Sequence, residues 1–448
     1  MSTQKVWNFI FRGTLTIVVL LTFIIAAEVQ DEPKTSEDFS LEQIGAAGLT
    51  QEQLQLLTTK ADSGDPAAQR LLGISYHQGS SVAQNDNEAA RWLSKAAQSG
   101  DALAQVYLGH LYMSGSGVPR SDVEAVKWYR KSADQGLAVA QNNLGYMYFR
   151  GAGGLPQSYE EALNWFHKAA TQNLAGAEFN LGMLYRAGEG TARDYAEAQR
   201  WFRKAAEHGS ARANTSLGLM FHKGQGVHKD YAAAFSFFKA GADRGEPRAE
   251  SMLGFMYMNG YGVKRDYVQA FKWTKIAASK GVAEAEQNLA YMYDLGLGIH
   301  RDYYEAIKWY CSAAEKGLPE AQNTVAYYIA TADAGSHDYR KAAEWYTKAA
   351  EKGLPIAQVS LGILYGTGRG VPLDYVEAFA WFTVAKANGN KDAASALESL
   401  RSVMTPSQLE RAKLRANERQ SREIRSDRRS ESSLQDRCPL LNDLTVLR

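Results

Sequence analysis

Apolar and polar positions follow one another along most of this chain with a helical period. In one stretch Ala249, Leu253, Gly254 and Tyr257 fall at i, i+4, i+5 and i+8, and after a short loop Ala270, Trp273, Ala277 and Ala278 do the same. Residues spaced in this way share one face of an α-helix, so the pattern predicts two amphipathic helices. Between them lies Asn259-Gly260-Tyr261-Gly262-Val263, whose glycines suit the left-handed geometry that ends a helix. Asp266 then stands where it can accept the first free N–H groups of the second helix, and Asp194, Asp230, Asp302 and Asp374 hold the same place elsewhere. No stretch shows the two-residue alternation of a strand.

This helix–loop–helix pattern recurs. Gly73, Gly109, Gly145, Gly182, Gly218, Gly254, Ala290, Ala326 and Gly362 mark nine copies at steps of 36 residues, with one step of 37 after Gly145. A second series runs in register with it: Trp92, Trp128, Trp165, Trp201, Phe237, Trp273, Trp309, Trp345 and Trp381. Both series put the single extra residue in the loop 151–157. A fixed period of this size is the signature of stacked supersecondary units, because one helix pair cannot bury its apolar face alone. The expected fold is all-α, an αα-superhelix solenoid of nine helix-pair repeats of ~36 residues, spanning 65–389. The small residue beside each leucine is expected to admit a close helix approach, and the tryptophan to fill the gap between units.

The residues Ala177, Leu181-Gly182 and Tyr185, then Gly188 and Gly190, then Asp194, Ala198, Trp201-Phe202 and Lys204-Ala205-Ala206 resemble the Sel-1-like repeat family, a relative of the tetratricopeptide repeat. The resemblance covers most of the chain. It implies a right-handed superhelix of helix pairs that serves as an adaptor or assembly scaffold. The fifth unit departs mildly, with Phe237 at the tryptophan position, and the eighth has no counterpart of the G-x-G-V loop.

The ends read differently from the array. Thr50 and Gln53 form a capping-box pattern that opens a helix over 50–64, an amino-terminal cap with Leu56 in the tryptophan column. At the other end 390–404 repeats the first-helix pattern with Glu398 in the glycine column, which predicts a carboxy-terminal cap. A charged, arginine-rich helix is expected over 405–429, starting at Pro406 and facing solvent, with a disordered tail over 430–448. Residues 1–12 carry Lys5 and Arg12 and no acid, 13–27 are apolar and uncharged, and Glu28, Asp31 and Glu32 follow. That charge order is an export signal. At about 15 residues the apolar run is short for a membrane span, so a cleaved signal peptide competes with an uncleaved anchor, and cleavage is favoured. Residues 28–49 read as a tether. No cysteine follows the run, which excludes a lipid anchor, and the body is expected in the periplasm or on the periplasmic face of the inner membrane.

Net charge is +1, so no basic field draws the protein to nucleic acid. The two cysteines, Cys311 and Cys438, allow one bridge at most. Cys311 stands in a column of polar residues and is expected to be an exposed thiol. The recurring G-x-G loops, such as Gly115-Ser116-Gly117, are read as helix connections and not phosphate cradles, which occur once, after a strand. Eight histidines are scattered without metal-ligand spacing; His222 and His228 flank one loop but lack a third ligand. Neither a metal, a cofactor nor a catalytic group is expected.

The expected function is protein binding in the cell envelope, with partner segments lying in the concave groove. Beside the leucine–glycine dipeptides stand Asn143, Asn180 and Asn288, whose amides suit a backbone or carboxylate, and Tyr146, Met183, Phe255 and Tyr291, which add adaptable apolar area. These seven are the candidate binding residues; packing between units is the competing role for each. The alternative is a periplasmic hydrolase or penicillin-recognising protein using Ser236 and Lys239, which match S-x-x-K. No S-D-N or K-T-G accompanies them.

Overall fold

The computed structural model describes residues 49–331 and 338–426. The expected signal segment, most of the tether, the loop of the eighth unit and the carboxy-terminal tail lie outside them. Among the described residues there are helices α1 (Gln51–Asp62), α2 (Pro66–Gln78), α3 (Asp86–Gln98), α4 (Ala102–Ser114), α5 (Asp122–Asp134), α6 (Ala138–Arg150), α7 (Tyr159–Ala170), α8 (Ala175–Ala187), α9 (Tyr195–Glu207), α10 (Ala211–Lys223) and α11 (Tyr231–Ala242). They continue as α12 (Pro247–Asn259), α13 (Tyr267–Ser279), α14 (Ala283–Leu295), α15 (Tyr303–Glu315), α16 (Pro319–Thr331), α17 (Tyr339–Glu351), α18 (Pro355–Thr367), α19 (Tyr375–Ala387), α20 (Ala393–Arg401) and α21 (Pro406–Ser426), with no strand. Helices α2 to α19 form nine consecutive hairpins, an αα-solenoid. The chain divides into two compact units, one ending at Ala249 and the other beginning at Glu250.

Each hairpin is punctuated as its sequence dictates. The first helix ends on a left-handed glycine, as at Gly115 and Gly188, where an L side chain would be strained. Asp194, Asp230, Asp266, Asp302 and Asp374 cap the second helices through their carboxylates. The second glycine of the G-x-G loop has a further reason to be small. A Cβ at Gly190 would stand 2.5 Å from the backbone of Tyr159, the first residue of the second helix one hairpin earlier. The loop is therefore a packing joint between hairpins.

The small residue of the first helix does admit a close approach, but its partner differs from the expected one. A Cβ at Gly182 would lie 2.6 Å from the ring of Phe202, and one at Gly109 would lie 2.7 Å from Tyr129. Gly145 meets Phe166, Gly218 meets Phe238 and Gly362 meets Phe382 in the same way. The ring in the joint is thus the residue after the tryptophan, and it closes its own hairpin. Phe166, Phe202 and Phe238 are wholly buried, whereas Trp165 and Trp201 are only partly so. Trp92, Trp128, Trp345 and Trp381 are buried as well, and Trp128 and Trp381 pack into the cluster of the preceding helix pair, so the indole does fill the gap between units as expected. Several indoles lie under a lysine three residues on. Lys95, Lys168 and Lys348 stand 4.2, 3.8 and 4.2 Å from the ring centroids of Trp92, Trp165 and Trp345.

The ends are covered by the same logic. Thr50 and Gln53 make a reciprocal capping box at the start of α1. Leu56 is 58% exposed; Leu54 and Leu57 instead pack on Ala61, Ala68, Leu72 and Trp92. The covering residue is again one place after the tryptophan column. At the far end Glu398 points outward, paired with Arg401, while Ala396, Leu397 and Leu400 pack against Phe379 and Phe382. Helix α21 is not a solvated helix. Ala412 and Ala416 are fully buried, Ala416 against Ala380 and Val384, and Arg419 pairs with Glu377 while lying 4.0 Å from the centre of the Trp381 ring. Interleaved acids concealed that inward alanine face from a reading of charge alone.

Candidate protein-binding face

A polar spine runs between hairpins, four residues before each small residue. Gln69, Gln105, Gln322 and Gln358 are buried, and each donates its amide to a carbonyl in the last turn of the preceding second helix, at 3.0, 3.1, 3.1 and 3.1 Å. In three hairpins the glutamine oxygen also accepts from the end of that hairpin's own second helix: Gln135 to Gln105 at 2.9 Å, Gln172 to Gln141 at 3.0 Å and Asn388 to Gln358 at 3.2 Å. Where the column holds a carboxylate, the donor is basic. His208 meets Glu178 at 2.7 Å, Lys280 meets Glu250 at 2.7 Å and Lys316 meets Glu286 at 2.6 Å. Lys316 also donates to the Gly281 carbonyl at 2.9 Å. The glutamine donors tie a hairpin to the second helix before it, as Lys316 does through Gly281, whereas the carboxylate pairs themselves lie within one hairpin. The spine escaped the sequence reading because glutamines and glutamates scattered among alanines look like ordinary helix surface; the signal was their fixed distance from the small residue.

The seven candidate binding residues sit mostly inside this packing. Asn143 is 0% exposed and Asn180 is 2% exposed, its amide donating 2.9 Å to Asn142 of the preceding first helix. Asn288, Tyr146, Met183 and Phe255 are also buried; only Tyr291 is partly open. Tyr146 packs within the cluster around Phe166, Met183 in that around Phe202, and Phe255 against Tyr261. The side of the first helix next to the dipeptide is therefore a first-helix-to-first-helix contact. Its amides are not presented to solvent, and a partner on that side would meet Tyr291 first.

A more open face lies where the second helix of one hairpin meets the first helix of the next. Two residues after each tryptophan stand Arg130, His167 and Arg203. Arg130 donates to the Tyr148 hydroxyl at 2.9 Å, His167 lies 3.3 Å from the Tyr185 hydroxyl, and Arg203 stands 5.7 Å from the ring centre of Phe237. Burial holds the His167 imidazole below its usual range, so it favours the neutral form. Burial likewise lifts the Tyr185 phenol, with Glu197 and Asp194 adding to it. These half-buried rings beside exposed guanidinium groups can stack, donate and accept, the chemistry of an interaction surface.

The other expected chemistry is placed as follows. The Ser236 hydroxyl donates to the Ala232 carbonyl at 3.1 Å, and Lys239 pairs with Asp243 at 2.6 Å on an exposed helix face. Nothing in that arrangement supports a hydrolase, since the lysine turns along its own helix to Asp243 and the serine to the Ala232 carbonyl. His222 lies against Tyr231, 5.2 Å between ring centres, and among the described residues no three potential ligands gather around a metal position. No described helix is long and apolar enough to cross a membrane. The expectation of an exposed thiol at Cys311 is overturned: the residue is 0% exposed and disulfide-bonded.

Comparison with known proteins fits this architecture. A family model for the Sel1 repeat matches nine times without a gap, from 66–101 through to 355–390. No curated protein matches. Among solved structures, c5321, a protective antigen of uropathogenic Escherichia coli displaying an SLR fold, is 29% identical over 85% of this chain and 98% of its own, with a TM-score of 0.54. A Sel1 repeat protein from Oxalobacter formigenes is 36% identical over 55% of this chain and 96% of its own, with a TM-score of 0.50. Sel1 repeat proteins are in general protein-interaction scaffolds. With nine matched repeats covering most of its length, this chain belongs to the Sel1 repeat family.

Proposed function

We propose that the chain is an envelope scaffold that holds segments of partner proteins on the face between successive hairpins. One observation carries this reading. The small-residue and alanine columns keep one chemistry from unit to unit, while the column two residues after the tryptophan changes: Ser94, Arg130, His167, Arg203 and Lys239 in the first unit, then Lys275, Cys311, Thr347 and Thr383 in the second. A constant interior under a varied surface is how a repeat array acquires specificity without altering its fold. The first unit's run of Arg130, Arg203 and Lys239 beside Tyr148 and Tyr185 suits a partner segment that carries carboxylates and an apolar side chain. The basic, apolar and acidic order of residues 1–32 supports export to the periplasm, with either a cleaved signal or a retained anchor.

The test is in-cell photo-crosslinking from a reactive residue at Tyr148 or Arg203, with Lys127 on the outer face of α5 as the reference. The reading predicts one or a few discrete protein adducts from Tyr148 and Arg203 and none from Lys127. Equal adducts from all three positions would overturn the assignment of the face. For location, a reporter that is active only after export, fused behind residue 49, is expected to be active; an inactive fusion contradicts the envelope.

A further inference from the structure

The loops of the sixth and seventh hairpins carry exposed apolar side chains that their counterparts lack. The second helices there open with Tyr267-Val268 and Tyr303-Tyr304, where the fourth and fifth hairpins have Tyr195-Ala196 and Tyr231-Ala232. Leu295 stands where the fifth and sixth hairpins have Lys223 and Asn259. Val268, Leu295, Ile299, Tyr303 and Tyr304 are all exposed, Val268 by 64% and Tyr303 by 47%. The described part of the unit ending at Ala249 exposes only Leu56 and Val123 among its large apolar side chains. The two loops form one edge, because Gly298 of the seventh sits on the start of α13. A Cβ there would lie 2.2 Å from the Tyr267 carbonyl oxygen and 3.0 Å from the Val268 nitrogen.

Cations stand among these side chains. Lys264, Arg265, His300 and Arg301 are exposed, with the Arg301 guanidinium 4.2 Å from the centre of the Tyr303 ring and that of Arg265 5.7 Å from Tyr267. The neighbouring acids are committed elsewhere. Asp266 and Asp302 cap α13 and α15, Asp294 accepts from the Tyr328 hydroxyl at 2.8 Å, and Glu305 pairs with Lys308. The edge therefore presents positive charge and apolar tips at the same level. A protein interface keeps charge out of its core, so a dry protein contact fits this mixture poorly. A bilayer boundary fits it well. Apolar and aromatic groups enter between headgroups there while cations remain at the phosphates, their stems lying along the rings.

We propose that this edge rests on an anionic phospholipid surface. Lys264, Arg265 and Arg301 meet headgroup phosphates, and Val268, Leu295 and Ile299 dip into the boundary between them. Charge complementarity supplies the preference for anionic lipid, and the apolar tips supply the contact that a purely ionic patch would lack. The proposal does not depend on the partner-binding face, which runs along the helices and not over these loops.

The experiment exposes the full chain to hydroxyl radicals beside vesicles of phosphatidylcholine alone, or of equal parts phosphatidylcholine and phosphatidylglycerol. Side-chain oxidation is read by mass spectrometry. Anionic vesicles should lower the oxidation of Leu295, Ile299, Tyr303 and Tyr304 about fivefold or more relative to neutral ones, while Val123 reacts alike in both. Because the readout is local, attachment of the chain through its apolar run 13–27 to both lipids cannot imitate it. Equal oxidation of the four side chains in the two preparations would overturn the proposal. Masking that grows with chain concentration in the absence of lipid would assign the edge to a second copy and overturn it as well. Lys264→Glu with Arg265→Glu, both at exposed positions, should abolish most of the protection on anionic vesicles. Protection that survives this reversal would show that the headgroup charge is not read, and the proposal would fall.

Discussion

The two units solve the same buried position differently. In the unit ending at Ala249 the spine is carried chiefly by amides: Gln69 donates to the Ala61 carbonyl, Gln105 accepts from Gln135 and Gln141 from Gln172, with one charged pair at Glu178 and His208. In the unit beginning at Glu250 two successive hairpins carry Glu250 and Glu286 there, answered by Lys280 and Lys316, before amides return at Gln322 and Gln358. A glutamine there donates to the preceding second helix and can accept from the next, whereas a carboxylate only accepts, and in the seventh hairpin Lys316 itself donates back to the Gly281 carbonyl. The consequence of damage differs too. An amide that loses its partner forfeits one modest hydrogen bond, whereas a carboxylate that loses its lysine is left as an unpaired buried charge.

The largest expected effect lies where the units agree. Phe202→Ala in the first and Phe382→Ala in the second should each cost about 3–5 kcal/mol by chemical denaturation, the usual loss for a buried phenylalanine. A twofold difference between them would mean that the hairpin joint is not shared. The spine should separate the units next. Lys316→Ala should cost about 2–3 kcal/mol, reduced from the full cost of breaking a buried pair because the ammonium is partly open to water. Gln135→Ala should cost only about 0.5–1 kcal/mol. Equal losses would erase the distinction. Converting the pair to amides, Glu286→Gln with Lys316→Gln, is expected to restore stability to within about 1 kcal/mol of the parent, since it rebuilds the first unit's solution.

The smallest effect concerns the eighth hairpin, a mixed case. Its spine residue is Gln322, yet Lys352 still follows, donating to the Gly317 carbonyl. Burial lifts the Glu320 carboxyl above its ordinary range, and burial lowers the Lys352 ammonium. A carboxyl raised in the folded state binds its proton more tightly folded than unfolded. Its ionisation therefore costs stability as pH rises through the folded value, and nothing below the unfolded one. Glu320→Gln should leave stability unchanged or slightly higher at pH 7, with the gain vanishing below about pH 4. A loss at pH 7 would show that the pair with Lys352 outweighs burial.

The repeat, its period and its punctuation were legible because they rest on local rules: helical spacing, left-handed glycines and capping aspartates each act within a few residues. The partner of the small residue was not. Trp201 is the more prominent marker, but Phe202 is the buried one, and a helix turns by 100° per residue, so neighbouring residues face different elements. Choosing between them requires knowing where the second helix sits against the first. The same limit explains the binding residues. Asn143 and Asn180 are polar and recur at one position, which suits a groove, yet they face the neighbouring first helix. Leu56 failed for the reason Trp201 did, one place out of register with the joint. The inward alanines of α21 depend on contacts that lie outside any repeat.

The claim on which the account turns is that the small residue admits the side chain one place after the tryptophan, a ring in most hairpins but Leu93 beside Gly73 and Thr274 beside Gly254. A double-mutant cycle on Gly182→Ala and Phe202→Leu tests it. The added methyl alone should cost about 1–3 kcal/mol, because it meets the ring at 2.6 Å. Trimming the ring makes room for it, so the double variant should be more stable than the sum of the two losses by about 1 kcal/mol or more. Strictly additive losses would contradict the account.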